Sequence, residues 1–193
     1  NCSEKGTVRL ILNGASISSS STAPVVVEEA KKVLVTLADG TTNTITDKTR
    51  QSVDDEDFSS AVYSKADLVF NGSGTLNVNA GYRNGIKSTD DLKVVSGTFN
   101  ITSNEDGIIG KDFLGIKDGK FTIKSGSDGM KSTYDTDTSK GNIVITGGEF
   151  DITASNDGIH CNEDILISGG NLTISSGDDG VHADDNLQVD GGT

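Results

Sequence analysis

One short motif constrains the fold of this chain more than any other feature. An aspartate or asparagine is followed by glycine and then by an apolar residue, and the motif occurs five times. Its glycines stand at positions 85, 107, 129, 158 and 180, so successive copies are separated by 22, 22, 29 and 22 residues. A fixed period of this length is typical of a solenoid, in which each repeat forms one turn of a coil, here called a rung.

Each rung contains three short segments in which apolar and polar residues alternate, as in a strand with one buried face. One rung shows this with Phe99 and Ile101, then Ile108, then Leu114 and Ile116. Equivalent strands of successive rungs would pair in parallel about 4.8 Å apart, and the usual crossover preference makes the coil right-handed. The sequence therefore predicts an all-β, right-handed parallel β-helix with three short strands per rung of about 22 residues. A β-sandwich is disfavoured because its strands do not recur in phase with the same turn residues.

The whole chain, residues 1–193, is expected to form one β-helix domain. Residues 7–60 read as degenerate rungs that include a Ser-rich loop at 16–22 and a polar, acidic insertion at 47–60. Residues 61–193 read as regular rungs. The single long step of the repeat predicts an insertion at 134–140, and insertions in solenoids map to one face, often the binding face.

Charge narrows the classes of partner. The chain carries 29 acidic and 16 basic residues, for a net charge of −13, which disfavours nucleic acid and favours cations. We find no apolar run of membrane length and expect no direct membrane insertion. Cys2 and Cys161 would lie many rungs apart, so a disulfide between them is not expected, and Cys161 reads as a small core residue.

Stacked rungs would place acidic residues of equal phase above one another in two columns. The first ladder belongs to the repeated motif and contains Asn84, Asp106, Asp128, Asp157 and Asp179, with Asp178 beside it. The second ladder lies six residues further along and contains Asp90, Asp112, Glu163 and Asp185, reinforced by Asp91, Asp164 and Asp184. The two ladders would therefore lie at opposite ends of one short strand.

Such ladders require relief from electrostatic repulsion. Two carboxylates about 4.8 Å apart repel by about 0.9 kcal/mol in water and about 3.5 kcal/mol at an effective dielectric near 20. Protonation, hydrogen bonds from turn amides, or a bridging cation would each provide it. Calcium suits oxygen-only ligands in flexible turns, and no Cys/His set typical of zinc is visible. We therefore predict calcium at both ladders, with Asp135 and Asp137 of the insertion as further ligands. The alternative is that each aspartate only caps its own turn.

An outward column between the ladders supplies candidate ligand-binding residues. It contains Tyr63, Lys87, Ile109, Lys131, His160 and His182. Lys87 and Lys131 could each face a sugar carboxylate or simply pair with neighbouring aspartates. His160 and His182, on adjacent rungs, could flank a ligand or stack on each other.

Other surfaces offer weaker candidates. Tyr134 is a candidate for sugar stacking, although the chain has no tryptophan. A second outward column could hydrogen-bond sugar hydroxyls or could be an ordinary exposed sheet face, and it contains Asn77, Asn100, Thr122, Asp151 and Thr173.

Several phrases resemble a known family. They are LADGTTNTITD at 37–47, NGSGTL at 71–76, ITGG at 145–148 and SGDDGVHA at 176–183, and the likeness covers roughly residues 8–193. The family consists of exported bacterial proteins, described as polysaccharide-lyase-like, calcium-containing β-helix carbohydrate-binding proteins, that cellulolytic bacteria carry at the cell surface. The resemblance implies a pectate-lyase-like right-handed β-helix, bound calcium, an extracellular or cell-surface location, and binding of plant polysaccharide such as cellulose and polygalacturonate.

Three functions remain open from the sequence. The favoured one is non-catalytic, calcium-dependent binding of plant cell-wall polysaccharide, with no catalytic residue. The second is a calcium-dependent pectate lyase that acts by β-elimination with Lys131 or Lys87 as the base. The third is a structural or adhesive surface stalk. Because the ends of a β-helix expose unpaired edges, we expect a monomer or end-to-end contact between copies.

Overall fold

The computed structural model describes residues 6–49, 58–134 and 136–193, and these residues form a parallel β-helix as predicted. Its regular elements are all strands within those ranges. No helix in the described part of the chain has the length and apolar character needed to cross a membrane. The acidic run at 54–57, Cys2 and Asp135 lie outside the described residues.

The strands follow one another in chain order. The first eleven are β1 (Thr7–Leu12), β2 (Ser16–Ser19), β3 (Val25–Val27), β4 (Lys32–Leu37), β5 (Thr42–Asp47), β6 (Ser60–Ser64), β7 (Asp67–Gly72), β8 (Thr75–Ala80), β9 (Asn84–Ser88), β10 (Asp91–Val94) and β11 (Thr98–Ser103). The next eleven are β12 (Ile108–Gly110), β13 (Phe113–Ile116), β14 (Lys120–Ser125), β15 (Met130–Ser132), β16 (Asn142–Ile145), β17 (Glu149–Ala154), β18 (Ile159–Cys161), β19 (Ile165–Ile167), β20 (Asn171–Ser176), β21 (Val181–Ala183) and β22 (Leu187–Val189).

Every third strand belongs to the same sheet, so three parallel sheets form the walls of the coil. Sheet A has the order β1-β4-β7-β10-β13-β16-β19-β22, sheet B runs β2-β5-β8-β11-β14-β17-β20, and sheet C runs β3-β6-β9-β12-β15-β18-β21. The predicted outward column of Lys, Ile and His residues lies on sheet C, and the Asn/Thr column lies on sheet B.

Strands pair so that equivalent residues of successive rungs meet. Phe99 pairs with Phe121, and Phe121 with Phe150. Their buried rings stack inside the coil with centroids 5.1 and 4.9 Å apart and nearly parallel planes. Cys161 is fully buried as predicted, and burial raises the pKa of its thiol to about 12. The core is therefore a column of like residues, each packed against its counterparts in the rungs above and below.

Four of the five motif glycines, at positions 85, 107, 129 and 158, are required because a side chain there would have no space. None of the five motif glycines has a positive φ. A Cβ built on Gly129 would lie 2.5 Å from both Gly158 O and Ile152 Cγ2 of the next rung. Gly107 would meet Gly129 O and Ile123 Cγ2 in the same way. Glycine is therefore needed because the backbones of successive rungs approach too closely for a side chain.

The first rungs are more regular than predicted. Residues Ser16–Ser19, expected to lie in a loop, form β2 and pair in parallel with β5, Ile17 opposite Ile45. Ile17 packs against the core. The loop prediction was wrong because a single apolar residue among serines gives too little alternation to identify a strand.

One connection between strands is much longer than its counterparts. Nine residues, 133–141, connect β15 to β16, whereas two residues, 111–112, connect β12 to β13. Yet β16 pairs with β13 in the register of the other rungs, Asn142 opposite Phe113. The extra residues thus lie at a corner between sheets C and A and leave the coil unchanged.

Replacing a motif glycine tests the close approach of the rungs. We expect Gly129→Ala to lower the free energy of unfolding by about 1–3 kcal/mol, since its Cβ would overlap the next rung. Gly180→Ala is the matched control, because a Cβ there would meet nothing within 4 Å. Urea unfolding measures both, and equal losses for the two variants would contradict the steric explanation.

Candidate functional site

The carboxylates of the first ladder accept backbone hydrogen bonds from the next rung. The N–H of Asp128 donates to Asp106 Oδ1 at 3.0 Å, that of Asp157 to Asp128 Oδ1 at 3.1 Å, and that of Asp179 to Asp157 Oδ1 at 2.9 Å. The ladder starts with an amide, since the Asp106 N–H donates to Asn84 Oδ1 at 3.1 Å. One oxygen of each side chain thus extends the hydrogen-bond ladder between rungs.

Backbone N–H groups of each rung also donate to carbonyl oxygens of the next rung, which is the opposite direction to the side-chain bonds. The N–H of Gly107 donates to Asp128 O at 2.9 Å, and that of Gly129 to Asp157 O at 2.9 Å. Repulsion between carboxylates can be relieved by protonation, by hydrogen bonds from turn amides or by a bridging cation. For the Oδ1 atoms of Asp106, Asp128 and Asp157, the hydrogen bonds from turn amides are present. The Oδ2 atoms remain for other partners.

Lys131 occupies the space between two carboxylates of the first ladder. Its Nζ lies 2.7 Å from Asp128 Oδ2 and 3.7 Å from Asp106 Oδ2. Burial alone would lower the pKa of Lys131, but its hydrogen bond to Asp128 and the charge of Asp106 outweigh burial and raise it. Burial alone would raise the pKa of Asp128, but hydrogen bonds from Lys131 and Asn156 outweigh it and lower it. Each partner thus favours the charged form of the other.

Two histidines continue this pattern along sheet C. His160 Nδ1 lies 3.4 Å from Asp128 Oδ2 and 3.8 Å from Asp157 Oδ2. His182 Nδ1 lies 3.7 Å from Asp157 Oδ2 and 3.3 Å from Asp179 Oδ2. The two rings are tilted by 33° with centroids 5.1 Å apart. Lys131, His160 and His182, here called the Lys–His column, therefore interleave with the carboxylates of the first ladder.

A cavity of about 200 Å³ lies at the Lys131 end of this column. Four cationic side chains line it, namely Arg83, Lys87, Lys111 and Lys131, together with the carboxylates of Glu105 and Asp106. Lys87 Nζ donates to Ser59 Oγ at 3.3 Å, and Arg83 Nε lies 2.7 Å from Glu105 Oε2. We call this cavity the lysine pocket.

Two members of the predicted outward column are covered. Tyr63 is only 1% exposed, and its ring packs edge-on against Phe58 with centroids 5.5 Å apart. Ile109, between Lys87 and Lys131, is only 6% exposed. Both residues keep their places in the column, since Ile109 pairs with Lys87 and Lys131 and Tyr63 pairs with Lys87, but both side chains are buried. The polar members of the column provide its accessible chemistry.

The insertion contributes Asp137 and Tyr134 to the corner beside the lysine pocket. Asp137 accepts hydrogen bonds from the backbone and hydroxyl of Ser139 at 3.0 and 2.7 Å, which lower its pKa. Tyr134 lies beneath two ammonium groups, those of Lys111 at 5.2 Å and Lys140 at 4.5 Å from the ring centroid. Tyr134 thus borders the lysine pocket through Lys111, which follows strand β12 directly and was not singled out from the sequence.

The second ladder is interrupted. Gly141 takes the ladder position between Asp112 and Glu163, as the hydrogen bonds Gly141 N to Asp112 O and Glu163 N to Gly141 O show. Asp185 follows Glu163 on the next rung. Lys140, from the insertion, lies 2.6 Å from Asp112 Oδ2. Sequence reasoning missed this lysine because the insertion has no counterpart in the other rungs.

The residues beside the second ladder have separate partners. Asp164 accepts a hydrogen bond from Asn186 Nδ2 at 2.9 Å, and its own N–H donates to Asn142 Oδ1 at 3.1 Å. Asp184 Oδ1 lies 3.2 Å from His182 Nε2. These residues do not form one continuous carboxylate column.

An acidic cluster is nevertheless present at the start of the second ladder. Asp67, Asp90 and Asp91 offer carboxylate oxygens within 4.8 Å of one another. Burial, and then the charges of Asp67, Asp112 and Asp91, raise the pKa of Asp90. Asp112 Oδ1 is buried without a hydrogen-bond partner among the described residues. We call Asp67, Asp90 and Asp91 the Asp67 cluster.

Asp67 was missed by the sequence analysis, although a signal existed. The phrase Asp-Leu-Val-Phe at 67–70 parallels Asp-Leu-Lys-Val at 91–94, and Leu68 pairs with Leu92. Asp67 precedes the first copy of the glycine motif, so a search anchored on that motif does not reach it. A second acidic group, Asp157, Asp178 and Asp179, lies on the first ladder.

The fold and its rows of polar side chains can now be compared with known proteins. The family model for carbohydrate-binding domain-containing proteins matches residues 1–192, and the chain belongs to this family. A carbohydrate-binding domain-containing protein of Acetivibrio thermocellus is 35% identical over 95 residues, which are 48% of this chain and 33% of that protein. The matched part thus spans a third of the length of that relative.

A solved structure shares the fold over nearly the whole chain. The gadolinium derivative of a polysaccharide lyase-like protein from C. thermocellum has a TM-score of 0.91 and 31% sequence identity. The match covers 95% of this chain and 75% of that one. The resemblance stated from the sequence is confirmed for the family and for the parallel β-helix.

The lowered pKa of Asp128 predicts how stability depends on pH. Its side chain is only 1% exposed, and its charged form is stabilised in the folded state. The stabilisation is therefore present above the ordinary value of 3.8 and is lost as the pH falls through the lower folded pKa. We expect Asp128→Asn to cost about 1.5–3 kcal/mol near neutral pH and less in acid. Thermal unfolding against pH measures this, with Asp151→Asn on the exposed face of sheet B as the control. A cost that does not change with pH would contradict it.

Proposed function

We propose that this protein is a non-catalytic, calcium-dependent binding module for plant cell-wall polysaccharide, acting outside the cell or at its surface. Acidic chains such as polygalacturonate would bind at the lysine pocket. The observation that carries the proposal is the concentration of four cationic side chains around one cavity in a chain of net charge −13. Ammonium and guanidinium groups form charge-assisted hydrogen bonds with carboxylates such as those of uronates.

The direction of the Lys–His column suits an extended ligand. His160 and His182 continue from Lys131 along sheet C, one residue per rung. A polysaccharide lying along the coil would therefore meet a cationic or imidazole side chain at successive rungs, about 4.8 Å apart. Tyr134 adds an aromatic ring near the pocket. This arrangement supports binding to several sugar units of one chain.

The Asp67 cluster is the best candidate for calcium. Its donors are all oxygens, which calcium prefers in flexible settings. Burial and the neighbouring carboxylates raise the pKa of Asp90, although Lys32 and Lys93 already pair with Asp67 and Asp91. Asp112 Oδ1 has no hydrogen-bond partner among the described residues. The solved relative is described as a gadolinium derivative, which supports a polyvalent-cation site in this fold. Bound calcium would neutralise these carboxylates and hold the rungs of β7 and β10 together.

A neutral chain such as cellulose would have a different surface. The outward face of sheet B carries side chains with amide, hydroxyl or carboxylate groups on successive strands: Asn77, Asn100, Thr122, Asp151 and Thr173. Asn100 Nδ2 donates to Asn77 Oδ1 at 2.8 Å, so neighbouring members orient one another. Such a row matches sugar hydroxyls better than carboxylates.

The alternative of a pectate lyase is favoured by the name of the solved relative but not by the state of Lys131. A lysine base must lose its proton before it can abstract one. The raised pKa of Lys131 keeps it protonated in neutral solution. Lys87 would then be the remaining lysine of those suggested from the sequence.

Charge-removing variants test the binding surface. We expect Lys87→Gln and Lys131→Gln each to weaken polygalacturonate binding about tenfold, since each removes a charge-assisted hydrogen bond. Lys124→Gln, which removes the same charge from the exposed face of sheet B, is the matched control. Affinity electrophoresis in calcium-containing gels measures retention. If all three variants bind like the wild type, the lysine pocket is not the docking site. A rise in ultraviolet absorbance from unsaturated product would instead support the lyase.

Removing one carboxylate of the Asp67 cluster tests the calcium site. Above its raised pKa, ionised Asp90 destabilises the calcium-free protein, because the folded state favours its protonated form. Asp90→Asn should therefore be at least as stable as the wild type in chelator at neutral pH. A hundredfold excess of calcium over Kd should stabilise the wild type by about 2.7 kcal/mol and the variant by much less. Thermal unfolding measures both, and equal stabilisation of the two proteins would contradict this location.

A further inference from the structure

Two histidines on neighbouring rungs share one buried carboxylate. Asp157 has a side chain only 5% exposed, and its Oδ2 lies 3.8 Å from His160 Nδ1 and 3.7 Å from His182 Nδ1. Its other oxygen, Oδ1, is occupied by the N–H of Asp179 at 2.9 Å. Asn156 Nδ2 approaches Oδ2 at 3.4 Å, at the outer limit of a hydrogen bond. A buried charged oxygen thus faces two imidazole nitrogens with weak direct bonding.

We propose that Asp157, His160 and His182 form a binding site for a divalent transition-metal ion of the zinc class, distinct from the calcium site. One donor atom from each residue lies within 4.8 Å of the others. Tetrahedral zinc with bonds of about 2.0–2.2 Å requires donors roughly 3.3 Å apart. The two carboxylate–imidazole separations, 3.8 and 3.7 Å, must therefore shorten by about half an ångström, and the two imidazole nitrogens must come to the same separation by rotation of their side chains.

A neighbouring carboxylate sets the required tautomer of His182. Asp184 Oδ1 lies 3.2 Å from His182 Nε2. When this carboxylate accepts the Nε2 proton, the Nδ1 lone pair faces two carboxylate oxygens, Asp179 Oδ2 at 3.3 Å and Asp157 Oδ2 at 3.7 Å. A carboxylate that holds the second nitrogen of a metal-bound imidazole is the usual supporting contact in such sites. Asp184 is therefore a positioning residue.

The adjacent rung explains why the site involves Asp157 and not Asp128. Asp128 Oδ2 also lies near His160 Nδ1, at 3.4 Å, but Lys131 Nζ already binds it at 2.7 Å. At Asp128 the ammonium group of Lys131 supplies the positive charge. At Asp157, one rung further along, a metal ion would supply it. Only the stretch with two imidazoles in succession offers nitrogen donors on both sides of a carboxylate within the described ladder.

The donor set selects against calcium. Calcium takes six to eight oxygen ligands, whereas imidazole suits zinc, copper, nickel and iron. Three protein donors leave at least one coordination position open, and the His182 side chain is 39% exposed, so solvent or a ligand oxygen reaches it. Sequence spacing places His160 and His182 on adjacent rungs, but only the structure shows that both imidazoles lie close to one oxygen of Asp157.

Isothermal titration with zinc chloride in excess calcium tests the site on the whole chain. We expect the wild type to bind one equivalent of zinc. Asp184→Asn should weaken binding about tenfold, and His160→Gln and His182→Gln should each weaken it further. Asp151→Asn, on sheet B, should bind like the wild type. Absence of zinc binding, displacement by calcium, or unchanged affinity in both histidine variants would overturn the proposal.

Cobalt(II) gives a readout on the wild-type protein that does not depend on the stability of any variant. Intense visible absorption of a tetrahedral site with nitrogen donors is expected to appear with one equivalent of cobalt and to vanish when zinc is added. A spectrum identical to that of free cobalt would overturn the proposal. Polygalacturonate binding in calcium is measured separately, so failure of either proposal leaves the other standing.

Discussion

The bond from an aspartate side chain to the backbone of the next rung is the interaction on which this coil depends. Oδ1 of Asp106, Asp128 and Asp157 each accepts an N–H from the following rung, and Asn84 does the same without a charge. The coil therefore needs an oxygen at this position but not an anion. Aspartate adds a second oxygen, and that atom is what draws lysine and histidine to the ladder.

The consequence is a strip of interleaved charges. Lys131 lies between Asp106 and Asp128, and each imidazole lies between the next two carboxylates. The like charges that the sequence brings together are separated by groups of opposite or adjustable charge. The ladder can thus be dense in carboxylates while its surface offers positive groups to a ligand. At the Asp67 cluster, Lys32 lies 3.6 Å from Asp67 and Lys93 lies 2.7 Å from Asp91, yet burial and the neighbouring carboxylates still raise the pKa of Asp90.

The repeating part of the structure could be predicted from sequence because period and alternation are geometric. The residues stacked in the core, such as Phe99 and Phe121, follow directly from strand phase. The burial of Tyr63 could not be predicted, because Phe58, whose ring packs against it, lies outside the repeat. Asp67 was missed because the motif used to align rungs begins after it. The site residues therefore depend on contacts between rungs and from non-repeating segments, which a one-dimensional pattern does not contain.

The long connection at 133–141 shows how such a coil can vary. It brings the Lys140 ammonium group next to Asp112 and over the ring of Tyr134. Strand β16 nevertheless keeps its pairing with β13. Corners between sheets can therefore grow, shrink or change composition while the walls stay fixed. Such proteins could therefore acquire new ligand preferences through sequence changes in one connection between strands. The stacked phenylalanine core would continue to specify the coil.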